Sequence, residues 1–302
     1  MLLTGPTRGL GLDATRSLAR RGVGLVLLGR PSTAFDDVVK EAERAGARQA
    51  IPVAVDLASI ESTRQAIVEV SALIGNGTVN AFDAMVLNAG LQVSDGRQSS
   101  VDGLELTFAV NVLSTHQLIV GVLPLLAPDA HTVIVGSGTH FGKPPATVLV
   151  AAPVWRDPVE LANPGRDNDA NASSSRAGQR AYSTSKLCVN YLAHELNRRA
   201  GEQTRVTVYD PGLMPGTGLA RTAAPWRQFV WSRIMPAFRV LPGVTTTGHS
   251  GEILAQLTVG ELHPDERNAY VEIGKVTKAS DASFDPIREA ALWAWCTDRL
   301  AV

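Results

Sequence analysis

Two residues four apart, Tyr182 and Lys186, form the sharpest chemical pairing in the sequence. On a helix that spacing puts both side chains on one face. A free phenol titrates at about 10, too high for acid–base work at neutral pH. A neighbouring ammonium favours the phenolate and lowers that value toward the working range. The pair reads as a proton-transfer unit. A glycine-rich turn is the second feature. Thr4-Gly5-Pro6-Thr7-Arg8-Gly9-Leu10-Gly11 has the spacing G-x-x-x-G-x-G and opens a helical pattern. Such a turn presents backbone N–H groups and the positive end of a helix to a pyrophosphate, with glycine where a side chain would block the approach. Arg8 lies inside the turn, and Arg30 follows the second expected strand, with no acid at 28–31. An NAD site would place an acid there for the ribose 2′-hydroxyl, whereas arginine suits a 2′-phosphate by charge and forked geometry. NADP(H) is therefore the expected cofactor. The plainer reading of Arg30 is a solvated strand end.

Composition narrows the classes. The 302 residues carry 28 Lys+Arg and 29 Asp+Glu, for a formal charge of -1, and 45% are hydrophobic. That apolar content supports a buried core and excludes wholesale disorder. A near-neutral chain has no basic footprint for nucleic acid, and membrane contact is not expected. Two cysteines, Cys188 and Cys296, cannot build a disulfide framework or a four-cysteine zinc site. His116 and His140 fit no metal spacing, so no metal is expected, and both read as hydrogen-bonded or surface groups. The N-terminus shows no targeting pattern, and no apolar run reaches the ~18 residues of a membrane span. A cytoplasmic protein is the expectation.

The elements that must position these residues follow from periodicity. Leu10, Ala14, Leu18 and Ala19 have helical spacing. Short apolar runs at 24–28, 51–55, 84–87 and 132–135 read as strands, apolar on both faces as a covered parallel sheet requires. Helices are expected at 60–74 and 103–126. Strand–helix alternation through residue 135 argues a doubly wound α/β sheet. The rhythm breaks between Ser137 and Tyr182, where 163–178 is rich in Asn, Asp, Ser and Gly and reads as a surface loop. It resumes with a helix at 183–200 and a strand at 205–209. A second irregular region, 211–243, contains an aromatic-rich piece at 225–241. A helix at 251–257, a strand at 270–272 and a closing helix at 286–300 complete the chain. Only three residues precede Thr4, so either the first strand is truncated or the start omits a few residues.

The ordered motifs carry a resemblance. The turn TGPTRGLG, Asp56 in VDLAS, Asn88-Ala89-Gly90, Asn111 in VNVLS, Ser137 in VGSGTH, Tyr182 to Lys186 in YSTSK, and Pro211-Gly212 occur in the order of the short-chain dehydrogenase/reductase (SDR) family. DGLELTFAVNVLSTHQL, SKLCVNYLAHELNRR and SGEILAQL resemble its retinol dehydrogenase and light-dependent protochlorophyllide reductase branch, as does Cys188 two residues after the lysine. The resemblance implies one Rossmann fold with helices on both faces of a parallel sheet. It implies that Tyr182 moves a proton at the substrate oxygen while hydride moves to or from the nicotinamide. Lys186 would also hold the nicotinamide ribose, Ser137 would hydrogen-bond the substrate oxygen, and Asn111 would complete a water-linked proton path. Asp56 and Leu57 would lie along the adenine. Asn88, Ala89 and Gly90 would let the backbone pass close to the cofactor. Pro211, Gly212, Leu213 and Thr217 would face the nicotinamide end. Gly136 stands where the family often has a first serine, and Ser137 keeps the catalytic place.

A length of 302 is long for one α/β domain. The surplus reads as a 138–181 insert and a 211–243 lid on one cofactor-binding domain spanning 1–302. Trp226, Phe229 and Val230 have helical spacing in the lid, among Arg227, Arg233 and Arg239; a membrane-touching surface is the minority reading because Pro236 cuts the pattern. An apolar lid fits an apolar small-molecule substrate. The leading expectation is an NADP(H)-dependent oxidoreductase interconverting a carbonyl and an alcohol. The alternatives are a C=C reductase of a conjugated ring and a non-catalytic dinucleotide sensor. A homodimer through long helices is an arrangement the family offers, and the sequence leaves it open.

Overall fold

A computed structural model describes residues 1–144, 150–165, 174–214 and 243–301. At its centre is an eight-stranded sheet in the order β3-β2-β1-β4-β5-β6-β7-β8. The strands are β1 (Leu2–Thr4), β2 (Gly24–Gly29), β3 (Gln49–Ala54), β4 (Phe82–Leu87), β5 (Leu126–Val135), β6 (Thr204–Asp210), β7 (Ala269–Glu272) and β8 (Lys275–Thr277). All pair in parallel except the β7–β8 hairpin. This is the expected doubly wound α/β Rossmann fold. From β1 the chain builds outward to β3, then returns to place β4 on the other side of β1. A crevice opens at such a reversal, outside the carboxyl ends of the strands. The first strand is short, but all three of its residues are buried and it pairs on both sides.

One face of the sheet is covered by α1 (Gly9–Arg20), α2 (Thr33–Arg44) and α7 (Thr247–Val259). Leu10, Ala14 and Leu18 form the buried stripe of α1, and a fully buried leucine contributes ~1.5–3 kcal/mol. Helices α1 and α7 approach closely because Gly251 has no side chain: a Cβ there would stand 2.8 Å from the Ala14 nitrogen. The other face carries α3 (Ile60–Gly75), α4 (Leu106–Leu125), α6 (Ser174–Ala200) and α8 (Pro286–Leu300). A single turn, α5 (Pro158–Leu161), lies between β5 and α6. By length and composition alone α4 could cross a membrane, and 72% of its apolar window is buried inside the protein.

Several expectations are corrected. Strand β5 begins at Leu126 rather than 132, and its pairing with β4 shifts register between Phe82 and Ala84. Helix α2, capped by Ser32 on the Phe35 nitrogen, had no strong apolar signal, because only Phe35, Val38 and Ala42 are buried. Strand β3 is not apolar on both faces: it is a sheet edge with Gln49, Pro52 and Ala54 exposed, and an edge tolerates proline. Helix α6 starts at Ser174, not 183. Its Gly178 signals a loop by composition, yet a Cβ there would stand 2.3 Å from the Val93 carbonyl oxygen, so the glycine is a packing requirement inside a helix. The aromatic-rich piece at 225–241 and Thr217 lie outside the described residues.

Helix α8 covers the two long helices on which a homodimer would draw. Trp293 packs edge-on against His116 of α4 at 4.6 Å, and Trp295 against Phe108 at 5.6 Å. Glu289 accepts from Arg198 of α6 at 2.5 Å and contacts His194 Nδ1 at 3.0 Å.

Candidate active site

The glycine turn joins the C-terminal end of β1 to α1. Gly5 and Gly9 have φ of +69° and +54°, in the left-handed region. Gly11 is fixed by contact: a Cβ would stand 2.1 Å from the Gly5 carbonyl oxygen and 2.4 Å from Asn88 Nδ2. Asn88 ties the turn to the end of β4. Its amide donates to the carbonyls of Thr4 at 2.9 Å and Gly5 at 3.1 Å, and Thr4 Oγ1 accepts from the nitrogens of Asn88 and Ala89. Arg8 occupies the N-cap of α1 with no side-chain cap bond, and the first turn holds no acid. Gly9 meets nothing within 4 Å of an added Cβ. An uncapped helix start beside an open glycine fits a pyrophosphate. Thr7 is half-buried, Arg8 is exposed and Leu10 is buried.

Arg30 is exposed just past β2. Asp56 lies one strand over, since the Val55 nitrogen donates to the Gly29 carbonyl at 2.9 Å. The Asp56 carboxylate accepts from the Ala58 nitrogen, and Leu57 packs half-buried against the core. Both residues thus end neighbouring strands at the same edge of the crevice.

The proton-transfer residues come from three elements. Ser137 follows β5. Tyr182 and Lys186 share the inner face of α6. Asn111 sits in a π turn, Ala109–Leu113, inside α4, and such single-turn bulges mark functional positions in helices. Its side chain accepts from the Leu91 nitrogen at 2.8 Å, and donates to the Leu91 carbonyl at 2.9 Å and to Ser185 Oγ at 2.9 Å. Ser185 in turn donates to the Tyr182 carbonyl at 2.7 Å. A Cβ on Gly90 would lie 3.6 Å from Lys186 Nζ and 3.7 Å from Asn111 Oδ1. The Asn88–Gly90 loop, the asparagine and the lysine therefore converge.

The electrostatics differ from the sequence expectation. Burial pushes the Tyr182 pKa up to about 12, although the neighbouring Ser137 side chain favours ionisation. Asp210 pushes the same way as burial, and the Ser137 side chain only partly opposes them. Lys186 turns to the strand instead. Its Nζ donates to the Val135 carbonyl at 2.8 Å and stands 5.8 Å from the centre of the Tyr182 ring. Burial pulls Lys186 down to about 8, against the opposing charge of Asp210. Desolvation outweighs pairing because both groups are almost wholly removed from water.

The other predicted residues divide. Pro211 and Gly212 end β6. The Pro211 carbonyl accepts from Thr245 Oγ1 at 2.9 Å and Ser250 Oγ at 2.8 Å, and the Leu213 nitrogen donates to Gly243 at 2.8 Å. These bonds lock the segment leading away from the site. His140 is fully buried, with Nδ1 on the Ser137 carbonyl and Nε2 accepting from the Ser280 nitrogen. Burial pulls it down to about 4, so it is a neutral structural group. Among the described residues no cluster could hold a metal. Cys188 is fully buried against the core, where burial pushes its thiol well above the usual range. It does not reach the site.

Sequence reasoning missed Asp210 and Tyr270. Asp210 is buried at the end of β6, accepting from the Gly212 nitrogen at 2.9 Å and from the Tyr270 hydroxyl at 2.9 Å. The available signal was an acid closing an otherwise apolar strand immediately before Pro-Gly.

Comparison with known proteins identifies the family. The short chain dehydrogenase family model matches residues 1–151. The chain is 32% identical over 227 residues to the short chain dehydrogenase resG of Aspergillus sclerotiorum, an alignment spanning 70% of this chain and 61% of that one. It is 28% identical over 319 residues to protochlorophyllide reductase A of Oryza sativa subsp. japonica, spanning 97% of this chain and 78% of that one. Among solved structures, a short chain dehydrogenase from Burkholderia cenocepacia, crystallised with NADP, superposes with a TM-score of 0.65 at 19% identity, covering 90% of this chain and 94% of that one. The chain belongs to the short-chain dehydrogenase/reductase family.

Proposed function

We propose that this protein is an NADP(H)-dependent oxidoreductase that interconverts a carbonyl and an alcohol on a largely apolar small molecule. The observation that carries the reading is the meeting of Tyr182 and Ser137 at the end of β5, with Lys186 on the Val135 carbonyl and Lys186 and Asn111 converging on Gly90 beside it. When bound, the dinucleotide supplies the hydride. The protein supplies its position and the proton. The Gly5–Gly11 turn with Thr7 and the start of α1 would hold the pyrophosphate, and Arg8 and Arg30 the 2′-phosphate. Asp56 and Leu57 would border the adenine. Asn88, Ala89 and Gly90 would line the path to the nicotinamide, with Lys186 on its ribose and Pro211, Gly212, Leu213 and Thr217 at its amide end. The bound NADP of the Burkholderia neighbour supports this cofactor class.

Ser137 would hold the substrate oxygen against Tyr182. With its pKa near about 12, the phenol carries its proton at neutral pH, so it is loaded as a general acid for carbonyl reduction. Asn111, fixed on Leu91 and Ser185, would anchor the proton path behind Lys186. The 138–181 insert and the 211–243 lid would select the substrate within one 1–302 domain. A cytoplasmic setting belongs to the same reading.

The test is NADPH consumption with a panel of ketones, aldehydes and enones, beside a Tyr182→Phe variant. Turnover of ketones or aldehydes that falls ~10²- to 10⁴-fold in the variant supports the reading. The name of the rice relative favours one second reading, reduction of a C=C bond in a conjugated ring. Selective turnover of enones, or light-dependent turnover of a tetrapyrrole, would establish that instead. Tight NADPH binding with no turnover would mark a sensor.

A further inference from the structure

We propose that Asp210 is the counter-charge that keeps Lys186 protonated inside the dry site, making it a positioning residue for the proton-transfer pair. This deepens the function proposed above and rests on Tyr182 and Lys186 forming that pair.

The Lys186 side chain is almost wholly buried, and its ammonium donates to the neutral Val135 carbonyl. A buried ammonium without an opposing charge tends to shed its proton. Asp210 is the carboxylate that faces it. The strand register brings it there: Tyr209 of β6 pairs with Val135 of β5, so Asp210 lies level with Gly136, beside the Ser137 strand end. Its carboxylate lies against the turn after Ser137: a Cβ on Gly138 would stand 3.1 Å from Asp210 Oδ2.

Asp210 is itself held in a fixed direction. Gly212 donates to Oδ1 and the Tyr270 hydroxyl to Oδ2, both at 2.9 Å. Tyr270 is packed against the buried His140 ring at 5.2 Å. The groups around this carboxylate are Lys186 and Tyr182 on α6 and Tyr270 and Glu272 on β7, with neutral His140 packed behind Tyr270. Lys186 is the only cation among them. Burial, opposed by its hydrogen bonds, leaves Asp210 titrating at about 6, so it is charged at neutral pH. The field of Asp210 favours the charged form of Lys186.

The test reads Lys186 directly in the full cofactor-free chain. The sequence holds five lysines, Lys40, Lys143, Lys186, Lys275 and Lys278, so lysine labelled with carbon-13 at Cε gives a small, assignable set of resonances. Loss of one peak in Lys186→Arg assigns it. In the wild type, Lys186 should titrate near about 8, with a smaller inflection near about 6 as Asp210 takes its proton. Asp210→Asn keeps the shape and the acceptor for Gly212 while removing the charge, its amide nitrogen donating to the Tyr270 oxygen in place of the present bond. It should erase the lower inflection and move the Lys186 midpoint down by roughly one pH unit or more. A Lys186 midpoint that stays within a few tenths of its wild-type value overturns the proposal. If Asp210→Asn does not fold, the wild-type curve decides: no inflection near about 6 overturns it equally. Because the lysine is read without substrate or cofactor, its result is separate from the Tyr182→Phe turnover test.

Discussion

Lys186 reaches past the Tyr182 ring to the carbonyl of Val135, two residues before Ser137. The lysine is thereby anchored to the strand that carries Ser137, while the Tyr182 hydroxyl lies beside Ser137 itself. Both proton-transfer side chains are thus referenced to one strand end and not to each other. A phenol raised by burial to about 12 and a lysine lowered by it to about 8 form a resting pair in which both groups carry their protons at neutral pH. The consequences extend to the cofactor crevice, to the helices behind it and to the response of the fold to acid.

The two glycines of the first turn should respond differently. In Gly11→Ala the new methyl meets backbone at 2.1 Å, so the turn must open. Overpacking of this kind costs ~1–3 kcal/mol, and NADPH binding should be lost with it. Gly9→Ala meets no atom within 4 Å but forces φ near +54° on alanine. Its cost should be only ~1–2 kcal/mol of local strain, with the fold kept and NADPH affinity reduced. Thermal unfolding and calorimetric NADPH titration of both variants check this. Equal behaviour of the two would contradict the contact argument.

These motifs were legible because they are local. A glycine spacing, Asn-Ala-Gly and Tyr-x-x-x-Lys each announce themselves within a few residues, and the strand–helix rhythm gave the parallel sheet. What stayed hidden is made by distant contacts. Asp210 and Tyr270 meet only because β6 pairs with β7. His140 finds its second partner at Ser280. Gly178 looks like a loop residue because the surface it presses against, Val93 to Asp95, is far away in sequence. The lowered phenol pKa was inferred from spacing alone. Spacing put the ammonium on the right face, but it carried no information about desolvation or about the Val135 carbonyl.

Arg30 should decide cofactor preference. It is exposed at the end of β2, next to the strand end that bears Asp56, so it is available to a 2′-phosphate. Arg30→Asp removes a charge-assisted contact of ~1.5–3 kcal/mol, equivalent to roughly a 10- to 150-fold loss in NADPH affinity. It also supplies an acceptor for a ribose 2′-hydroxyl, so NADH should bind at least as well as to the wild type. Paired NADPH and NADH titrations measure the ratio. An unchanged ratio would return Arg30 to the status of a solvated strand end.

Helix α8 should keep the chain monomeric. It occupies the faces of α4 and α6 through Trp293, Trp295 and Glu289, and Arg199 lies 5.0 Å over the Trp293 ring. Pairing through those faces would require α8 to leave. Light scattering at micromolar concentration should give the mass of one chain, and Trp293→Ala should cost ~3–5 kcal/mol in urea unfolding. A dimer in which α4 and α6 gain protection from hydrogen exchange would refute the assignment.

Acid should weaken the fold by a slope set by five buried groups. His116, His131 and His140 each have a pKa pulled by burial to about 4. In the unfolded chain they titrate at about 6.5. A depressed histidine stabilises the fold above the unfolded value, and that contribution is lost as pH falls through 6.5 toward 4. Glu105 and Asp210 act in the opposite sense. Burial pushes them up to about 7 and about 6, so they are protonated in the fold while still ionised in the unfolded chain. As pH falls from 7 toward the ordinary carboxylate range, they add stability. Between about pH 6 and pH 5 the unfolded state gains roughly three histidine protons, and the fold holds nearly two extra carboxyl protons. The net uptake on unfolding is about one proton, for a slope of ~1.4 kcal/mol lost per pH unit. Urea midpoints measured at intervals across that window give the slope directly. His140→Gln should reduce it to near zero after correction for its own baseline cost, because one of the three opposing protons is gone. Asp210→Asn should steepen it to ~2.5 kcal/mol per unit, because a compensating carboxyl is removed.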